Sequence, residues 1–255
     1  MAATPRRRLV GMSTKMYFSA AQTRQYVTNL ETQLKTYPDL NDKVDIFIIP
    51  DHLTMASVIT QVQSSSTPIK VGAQDAFWED TGAFTGEVSP SVLAELGCQI
   101  VELGHAERRR IFGESDADTA KKAAAAVRNG LVPLVCIGER NKGAVSMAVG
   151  DCAAQVEAVV RAVPDDAEVV LAYEPVWAIG ASEPASADHV AGVVEAIRQL
   201  PFVKSRKGLI RIIYGGSAGP GLFEKVKGAV DGLFLGRFAH DSAAFVKTIR
   251  EVATA

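Results

Sequence analysis

Short apolar runs alternate with longer amphipathic stretches along the whole chain. The runs are four to six residues long and mostly rich in Val, Ile, Leu and Phe. Continuous apolar runs of this length are typical of strands buried on both faces, as in a parallel sheet. Eight such strands are predicted: Arg8–Gly11, Val44–Ile49, Ile69–Gly72, Gln99–Leu103, Leu131–Cys136, Glu168–Ala172, Ile210–Tyr214 and Gly232–Leu235.

The stretches between the runs show helical spacing or helix-capping residues. Apolar residues of Ala20–Lys35 fall on one helical face, at Tyr26, Val27, Leu30 and Leu34. Further helices are predicted over Asp116–Arg128, Asp151–Ala162, Ser186–Leu200 and Asp241–Val252, the last three starting at a capping Asp or Ser. Eight strand–helix units in 255 residues predict an α/β fold, a single closed (β/α)8 barrel spanning residues 1–255 as one domain.

An open, doubly wound parallel sheet is the alternative architecture. Such a sheet usually carries a glycine-rich phosphate-binding turn after its first strand. Here the first strand leads into Gly11-Met12-Ser13-Thr14-Lys15, which contains one glycine. The barrel is therefore the favoured prediction.

Composition narrows the class of protein. The chain is 47% hydrophobic and 22% charged with a net charge of −2, so nothing indicates nucleic acid or an anionic membrane as partner. No apolar run is long enough to span a bilayer, and the basic segment Met1–Arg8 does not lead into the apolar part of a signal peptide. Cys98, Cys136 and Cys152 are an odd number of thiols at wide spacing, which favours reduced cysteines, no metal site and a cytoplasmic location.

The loops that follow the strands of such a barrel carry its chemistry. Lys15, after the first strand, offers an ammonium group to an anionic substrate, unless it is a solvated surface lysine. His105, after the fourth, falls at the start of a helix, where the imidazole stays neutral and can polarise a carbonyl oxygen; a structural histidine is the alternative. Glu174, after the sixth, precedes Pro175 and Trp177, whose packing would desolvate the carboxylate and make it a stronger base. A structural salt bridge is the other interpretation of Glu174.

Glycines follow the seventh and eighth strands. Tyr214-Gly215-Gly216-Ser217-Ala218-Gly219 and Gly236-Arg237 let backbone N–H groups approach an anion, at the usual phosphate site of barrel enzymes. The small residues at and after Gly180 are typical of a mobile lid. Glu107 is either part of a solvated charge run or a carboxylate that holds Lys15 in place.

Several segments together resemble the triosephosphate isomerase family over almost the whole chain. They are Gly82–Pro90, Gly104–Arg109, Cys136–Glu139, Tyr173–Gly180 and Tyr214–Ser217. That family pairs a glutamate base with a neutral histidine beneath a closing loop. The resemblance implies an aldose–ketose isomerase that interconverts dihydroxyacetone phosphate and D-glyceraldehyde 3-phosphate in glycolysis and gluconeogenesis, without cofactor or metal.

The same resemblance assigns roles to residues. It makes Glu174 the base, His105 the electrophile and Lys15 a group that binds substrate and stabilises negative charge. Backbone groups of Gly180, Ser217 and Gly236 are implied to bind phosphate. Glu107 is implied to support the catalytic groups. Residues Pro175–Ala185, which include Trp177, are implied to form a lid that Tyr214 holds shut. The loop that contains Thr85 is implied to form the contact of a homodimer.

Departures from the family pattern cluster around the substrate. Ser13 replaces an asparagine that lines the pocket and is shorter, and Ala106 replaces a serine. Ser182 and Pro184 stand at the tip of the lid, which they should stiffen. Arg237 replaces a glycine and either forks onto the phosphate or points outward.

These departures leave the reaction intact and open the choice of substrate. Triose phosphate is the first prediction, and a tetrulose phosphate such as L-erythrulose 1-phosphate is the alternative. A non-catalytic protein that binds a phosphorylated ligand is a third hypothesis, although no catalytic residue is missing. Other phosphate-binding barrels rank last because they lack the segment Glu174–Trp177 followed by a lid.

Overall fold

Eight parallel strands close into a barrel in the order of the chain. The computed structural model describes residues 7–65, 67–182 and 184–255. The strands are β1 (Arg8–Ser13), β2 (Val44–Ile49), β3 (Ile69–Ala73), β4 (Ile100–Leu103), β5 (Val132–Ile137), β6 (Val169–Tyr173), β7 (Ile210–Tyr214) and β8 (Gly232–Leu235). Each strand pairs with its neighbours in sequence, and β8 pairs with β1. The predicted (β/α)8 barrel is confirmed.

Helices surround the strands. They are α1 (Ala20–Leu34), α2 (His52–Gln63), α3 (Pro90–Leu96), α4 (Ala106–Phe112), α5 (Asp116–Arg128), α6 (Val145–Ala162), α7 (Ala187–Gln199), α8 (Pro201–Lys204), α9 (Phe223–Val226) and α10 (Ser242–Thr254). Single 3-10 turns occupy Pro38–Asp42, Val176–Ala178 and Arg237–His240. Two of these turns follow β6 and β8, at the end of the barrel where the candidate site lies.

One predicted helix boundary is wrong. Helix α6 begins at Val145, six residues before Asp151, which lies exposed inside the helix. The residue that precedes the helix, Ala144, forms no side-chain cap. A capping side chain is a preference and not a requirement, because packing of an apolar face stabilises most helices. The buried residues Ala148 and Cys152 extend that face toward the helix start.

The barrel interior is a separate apolar cluster inside the ring of strands. Its buried members are Leu9, Phe47, Ile49, Ile100, Leu134, Cys136, Val170, Ala172, Ile213 and Phe234. Successive residues of a strand point to opposite faces. The larger cluster, between strands and helices, therefore takes the alternate positions of the same strands, such as Val10 and Val101.

Neither metal ligands nor a membrane span were found in the described ranges. No helix there has both the length and the hydropathy needed to cross a membrane. No three His, Cys, Asp or Glu side chains within residues 7–65, 67–182 and 184–255 are grouped as metal ligands. Cys98, Cys136 and Cys152 are buried and form no disulfide.

Candidate active site

A cavity of about 930 Å³ opens at the carboxyl ends of the strands. Loops after β1, β4, β6, β7 and β8 line it, as the barrel architecture requires. Most residues singled out from the sequence meet there: Ser13, Lys15, His105, Glu107, Glu174, Gly180, Ser217, Gly236 and Arg237. The topology therefore gathers these residues, which are far apart in the chain, at one mouth.

Glu174 directly follows β6 and is only 6% exposed. Its side chain fits because Gly215 has none: a Cβ at Gly215 would lie 2.4 Å from Glu174 Oε1. Burial raises the pKa of Glu174 to about 8, against the opposing charge of Lys15 and with a contribution from Glu107. The oxygen Oε2 of Glu174 has no hydrogen-bond partner among the described residues and lies 3.5 Å from His105 Nε2. The carboxylate is thus desolvated and free to accept a proton.

His105 caps the N-terminus of α4. The backbone N–H of Glu107 donates to Nδ1 of His105 at 3.1 Å. Since Nδ1 accepts, a neutral ring carries its proton on Nε2, which faces the cavity. Burial and the positive charge of Lys15 lower the pKa of His105 to about 4, although Glu107 opposes them. The imidazole therefore stays neutral at physiological pH and presents an N–H donor.

Lys15 lies beside both groups. Its Nζ donates to Glu107 Oε1 at 2.7 Å and lies 3.5 Å from His105 Nε2. Burial lowers the pKa of Lys15, but the hydrogen bond and charge of Glu107 and the charges of Glu174 and Glu102 outweigh it and leave that pKa raised. The backbone of Lys15 has φ of 46°, a left-handed conformation that side chains disfavour. A fixed ammonium charge faces the reacting end of the cavity.

A buried ion cluster supports the loop that holds His105. Lys122 Nζ lies 2.9 Å from Asp75 Oδ1 and 2.7 Å from Glu114 Oε2. The other oxygen of Glu114 accepts from the backbone N–H of Gly104 at 3.1 Å. The residue before His105 is therefore tied to a fully partnered set of charges away from solvent.

The glycine loops form the opposite side of the cavity. Ser217 has φ of 49° and Gly180 has φ of 70°, which turns both segments sharply toward the opening. Arg237 is exposed, and its Nη2 would lie 3.7 Å from a Cβ placed on Gly180. Within the described ranges Arg237 forms no ion pair. The Arg237 side chain thus lines the cavity and does not point away from it.

The segment predicted as a lid is fastened at both ends. At its start, Trp177 Nε1 donates to Glu139 Oε1 at 2.8 Å, and the backbone N–H of Val176 donates to Glu139 O at 2.9 Å. At its end, the backbone N–H of Ala185 donates to the Tyr214 hydroxyl at 3.0 Å. Glu183, two residues before the end of the segment, lies outside the described residues. The Tyr214 hydroxyl thus binds the backbone at the end of this segment.

Two acidic residues of the site were missed in the sequence. Glu139 is only 2% exposed. Its Oε2 accepts a hydrogen bond from the Tyr173 hydroxyl at 3.1 Å, and its Oε1 lies 3.0 Å from His189 Nε2. Glu102, on β4, is 4% exposed and lines the cavity. A charged residue inside an apolar strand run is the signal that marks Glu102. For Glu139 the signal was its position two residues after the end of β5.

Comparison with known proteins decides the family. A family model described as triosephosphate isomerase matches residues 8–252. The chain belongs to the triosephosphate isomerase family. Among relatives within this family, an L-erythrulose-1-phosphate isomerase from Pectobacterium atrosepticum is 46% identical over 98% of this chain and 97% of that protein. One from Rhizobium etli is 40% identical over 96% of this chain and 92% of the relative.

The triosephosphate isomerase family also contains relatives named for the three-carbon reaction. A triosephosphate isomerase from Thermoanaerobacter sp. is 34% identical over 96% of this chain and 99% of that protein. The family resemblance seen in the sequence is therefore confirmed: this chain belongs to a family of sugar-phosphate isomerases. Of the two substrates named above, the comparisons favour the four-carbon alternative over the three-carbon first prediction.

Proposed function

We propose that the protein is an isomerase of L-erythrulose 1-phosphate. The relatives from Pectobacterium atrosepticum and Rhizobium etli, at 46% and 40% identity, carry that name and support this substrate over triose phosphate. The observation that carries the catalytic part is the convergence of three groups: Glu174 Oε2 lies 3.5 Å from His105 Nε2, which lies 3.5 Å from Lys15 Nζ.

The chemistry follows from the substrate's carbon skeleton. In L-erythrulose 1-phosphate the carbonyl is at C2, and C3 carries a hydrogen, a hydroxyl and the terminal hydroxymethyl group. Glu174 takes the C3 proton, and the electron pair moves to form the C2–C3 enediolate. Return of the proton to C2 forms the carbonyl at C3. The product is a second ketose, a tetrulose 4-phosphate, whereas the same step on a triose phosphate gives an aldose.

Charge that develops on the substrate oxygens needs stabilisation. The Nε2–H of neutral His105 donates to these oxygens, and the Lys15 ammonium attracts the same negative charge. Glu107 keeps Lys15 in place through the 2.7 Å hydrogen bond between Nζ and Oε1. Since the pKa of Glu174 is raised to about 8, the carboxylate is a far stronger base than a solvated glutamate.

The phosphate group would occupy the glycine-loop side of the cavity. Gly180, Ser217 and Gly236 bring backbone N–H groups there, and the Arg237 guanidinium adds positive charge. Closing the lid over them keeps water from the enediolate, which can otherwise lose its phosphate. A phosphorylated sugar thus places its reacting carbons beneath Glu174 and its anion beneath the lid.

A homodimer is part of the proposal. The loop that contains Thr85 is exposed, and Phe84 within it is 42% exposed. An exposed aromatic side chain on a projecting loop suits burial in a partner subunit. Light scattering after gel filtration tests this, with twice the 27.1 kDa chain mass as the expected result.

The function is tested by assaying L-erythrulose 1-phosphate and dihydroxyacetone phosphate side by side. Wild-type protein should convert the four-carbon substrate with the higher kcat/KM, and Glu174→Gln should lower that value by about 10²–10⁴-fold. Exchange of the C3 hydrogen for solvent deuterium should be lost in the same variant. Higher kcat/KM on dihydroxyacetone phosphate would make the protein a triosephosphate isomerase. Phosphate binding without turnover or exchange would make it a non-catalytic binder.

A further inference from the structure

Glu102 is an ionisable side chain of the cavity that the proposed proton transfer does not use. It lies on β4 two residues after Ile100, so it points to the same inner face of the barrel as that apolar residue. Its register partner on β5, Leu134, belongs to the apolar interior cluster. A carboxyl group placed in such a layer destabilises the fold unless polar contacts compensate it.

A polar side chain close to Glu102 is Ser13, at the end of β1, whose influence lowers the pKa of the Glu102 carboxyl. The Ser13 hydroxyl oxygen accepts from the backbone N–H of Lys15 at 3.3 Å. The hydroxyl can still donate its own proton to a carboxyl oxygen or to a ligand. Ser13 is 3% exposed and lines the cavity, so the pair forms a polar patch in the floor.

The patch lies at the reacting end of the cavity. Burial raises the pKa of Glu102 to about 8; the charge of Glu174 contributes, and the charge of Lys15 opposes the rise. Glu102 comes three residues before His105 and Ser13 comes two residues before Lys15, and all four side chains line the cavity. The Arg237 guanidinium lies instead beside Gly180, over the glycine loops. A carboxyl group repels a phosphate dianion when it is ionised, and it hydrogen-bonds to a hydroxyl group in either protonation state.

We propose that Glu102, together with Ser13, binds the terminal hydroxymethyl group of a four-carbon ketose phosphate and so selects it over a three-carbon one. This inference rests on the proposed function. The tetrulose phosphate differs from the triose phosphate by a hydroxymethyl group on the carbon that loses its proton. That group projects away from the phosphate, and the short Ser13 side chain leaves space for it.

Selection of this kind follows from unsatisfied polar groups. A site built to hydrogen-bond a substrate hydroxyl rejects the analogue without it, because the buried polar groups then lose their partner. With the three-carbon substrate, the Glu102 carboxyl would face an empty space in the cavity floor. With the four-carbon substrate, the terminal hydroxyl completes its hydrogen bonding.

The test compares Glu102→Leu and Glu102→Gln with wild type on L-erythrulose 1-phosphate. Glu102→Leu should lower kcat/KM by about 10- to 100-fold, because the substrate hydroxyl would be buried without its hydrogen-bond partner. Glu102→Gln keeps hydrogen-bonding atoms and should lose less. The inhibition constant of inorganic phosphate, which reports on the glycine loops alone, should stay within about threefold of wild type, because the anion site lies apart from Glu102.

Ser13→Ala removes the other polar side chain of the proposed pair. This variant should lower kcat/KM on L-erythrulose 1-phosphate by about 2- to 10-fold.

Several outcomes would overturn the inference. One is unchanged four-carbon kcat/KM in both Glu102 variants, and another is a parallel loss of phosphate inhibition, which would make Glu102 a structural residue. A wild-type protein without four-carbon turnover would instead overturn the proposed function itself. If the wild-type protein turns over the four-carbon substrate and both Glu102 variants match its kcat/KM, the proposed function stands and only the role of Glu102 is refuted.

Discussion

Replacing Gly215 by alanine should displace the proposed catalytic base, Glu174, without changing that residue itself. The added Cβ would lie 2.4 Å from Glu174 Oε1 and 2.7 Å from its Cγ. Carbon atoms of side chains essentially never approach closer than 3.0 Å, so the carboxylate must retreat by at least 0.6 Å. Gly215 is not among the glycines with positive φ, so alanine fits its backbone and the whole effect is steric.

A shift of this size has a calculable consequence for turnover. Misplacing a reacting group by about 1 Å lowers a rate by about 10²-fold. Gly215→Ala should therefore lower kcat on L-erythrulose 1-phosphate by about 10- to 100-fold. The change in KM should be smaller, because the substrate-binding groups His105 and Lys15 lie on other strands.

The assay is steady-state turnover with a matched glycine control. A Cβ added at Gly228 would meet no atom within 4 Å, and Gly228 has no positive φ, so Gly228→Ala should behave as wild type. Circular dichroism melting checks that both variants fold. If Gly215→Ala keeps kcat within about threefold of wild type, Glu174 is not positioned by this contact and the reasoning is refuted.

Three further predictions follow from the site and its support. The value of kcat/KM should fall as pH drops below about 8, because burial raises the pKa of Glu174 to about 8 and only its ionised form accepts a proton. Tyr214→Phe removes the hydroxyl that accepts from Ala185 N–H at 3.0 Å; it should lower kcat/KM by about 2- to 10-fold and release more inorganic phosphate per turnover. Lys122→Ala removes the buried ammonium from Asp75 and Glu114, which keep Arg108 as an ion-pair partner, and should reduce the free energy of unfolding, measured with denaturant, by about 1–3 kcal/mol.

Each of these predictions has a control and a contrary result. A pH profile that falls only near the ordinary glutamate pKa of about 4.3 would contradict the first. Tyr37→Phe removes an exposed tyrosine hydroxyl from Arg250 and should leave turnover unchanged; equal phosphate release by the Tyr214 and Tyr37 variants would refute the second. Lys247 is exposed, so Lys247→Ala should change the unfolding free energy by at most about 0.5 kcal/mol. A similarly small change in Lys122→Ala would refute the third.

Much of the fold could be predicted from the chain because its apolar residues recur with the spacing of strands and helices. All eight strands were predicted to within two residues at each end, since buried parallel strands are continuous apolar runs. The start of α6 was not predicted correctly, because Ala144 carries no capping side chain that would mark it. Local patterns mark helix ends only where a side chain satisfies the exposed N–H groups.

The site divides in the same way. Lys15, His105 and Glu174 follow strand ends, so the barrel topology itself indicates that they meet. Glu102 lies within a strand, and only the three-dimensional register reveals that it faces the cavity and not the helices. The direction of Arg237 also needed coordinates, because a side chain after β8 has equal opportunity to turn inward or outward.

The backbone conformations of Lys15 and Ser217 affect which substitutions a selection for stability would favour in this protein. Both hold a left-handed backbone, which for such residues is unfavourable by about 1–3 kcal/mol each. A laboratory evolution experiment that rewards heat resistance alone would accept glycine or asparagine at either position. Those substitutions would relax the backbone while removing either the Lys15 ammonium from the cavity or the Ser217 hydroxyl, which donates to the backbone oxygens of Ala178 and Ala181. Thermostable variants of this barrel should therefore be screened for turnover at every round, because two of its easiest gains in stability lie inside the site.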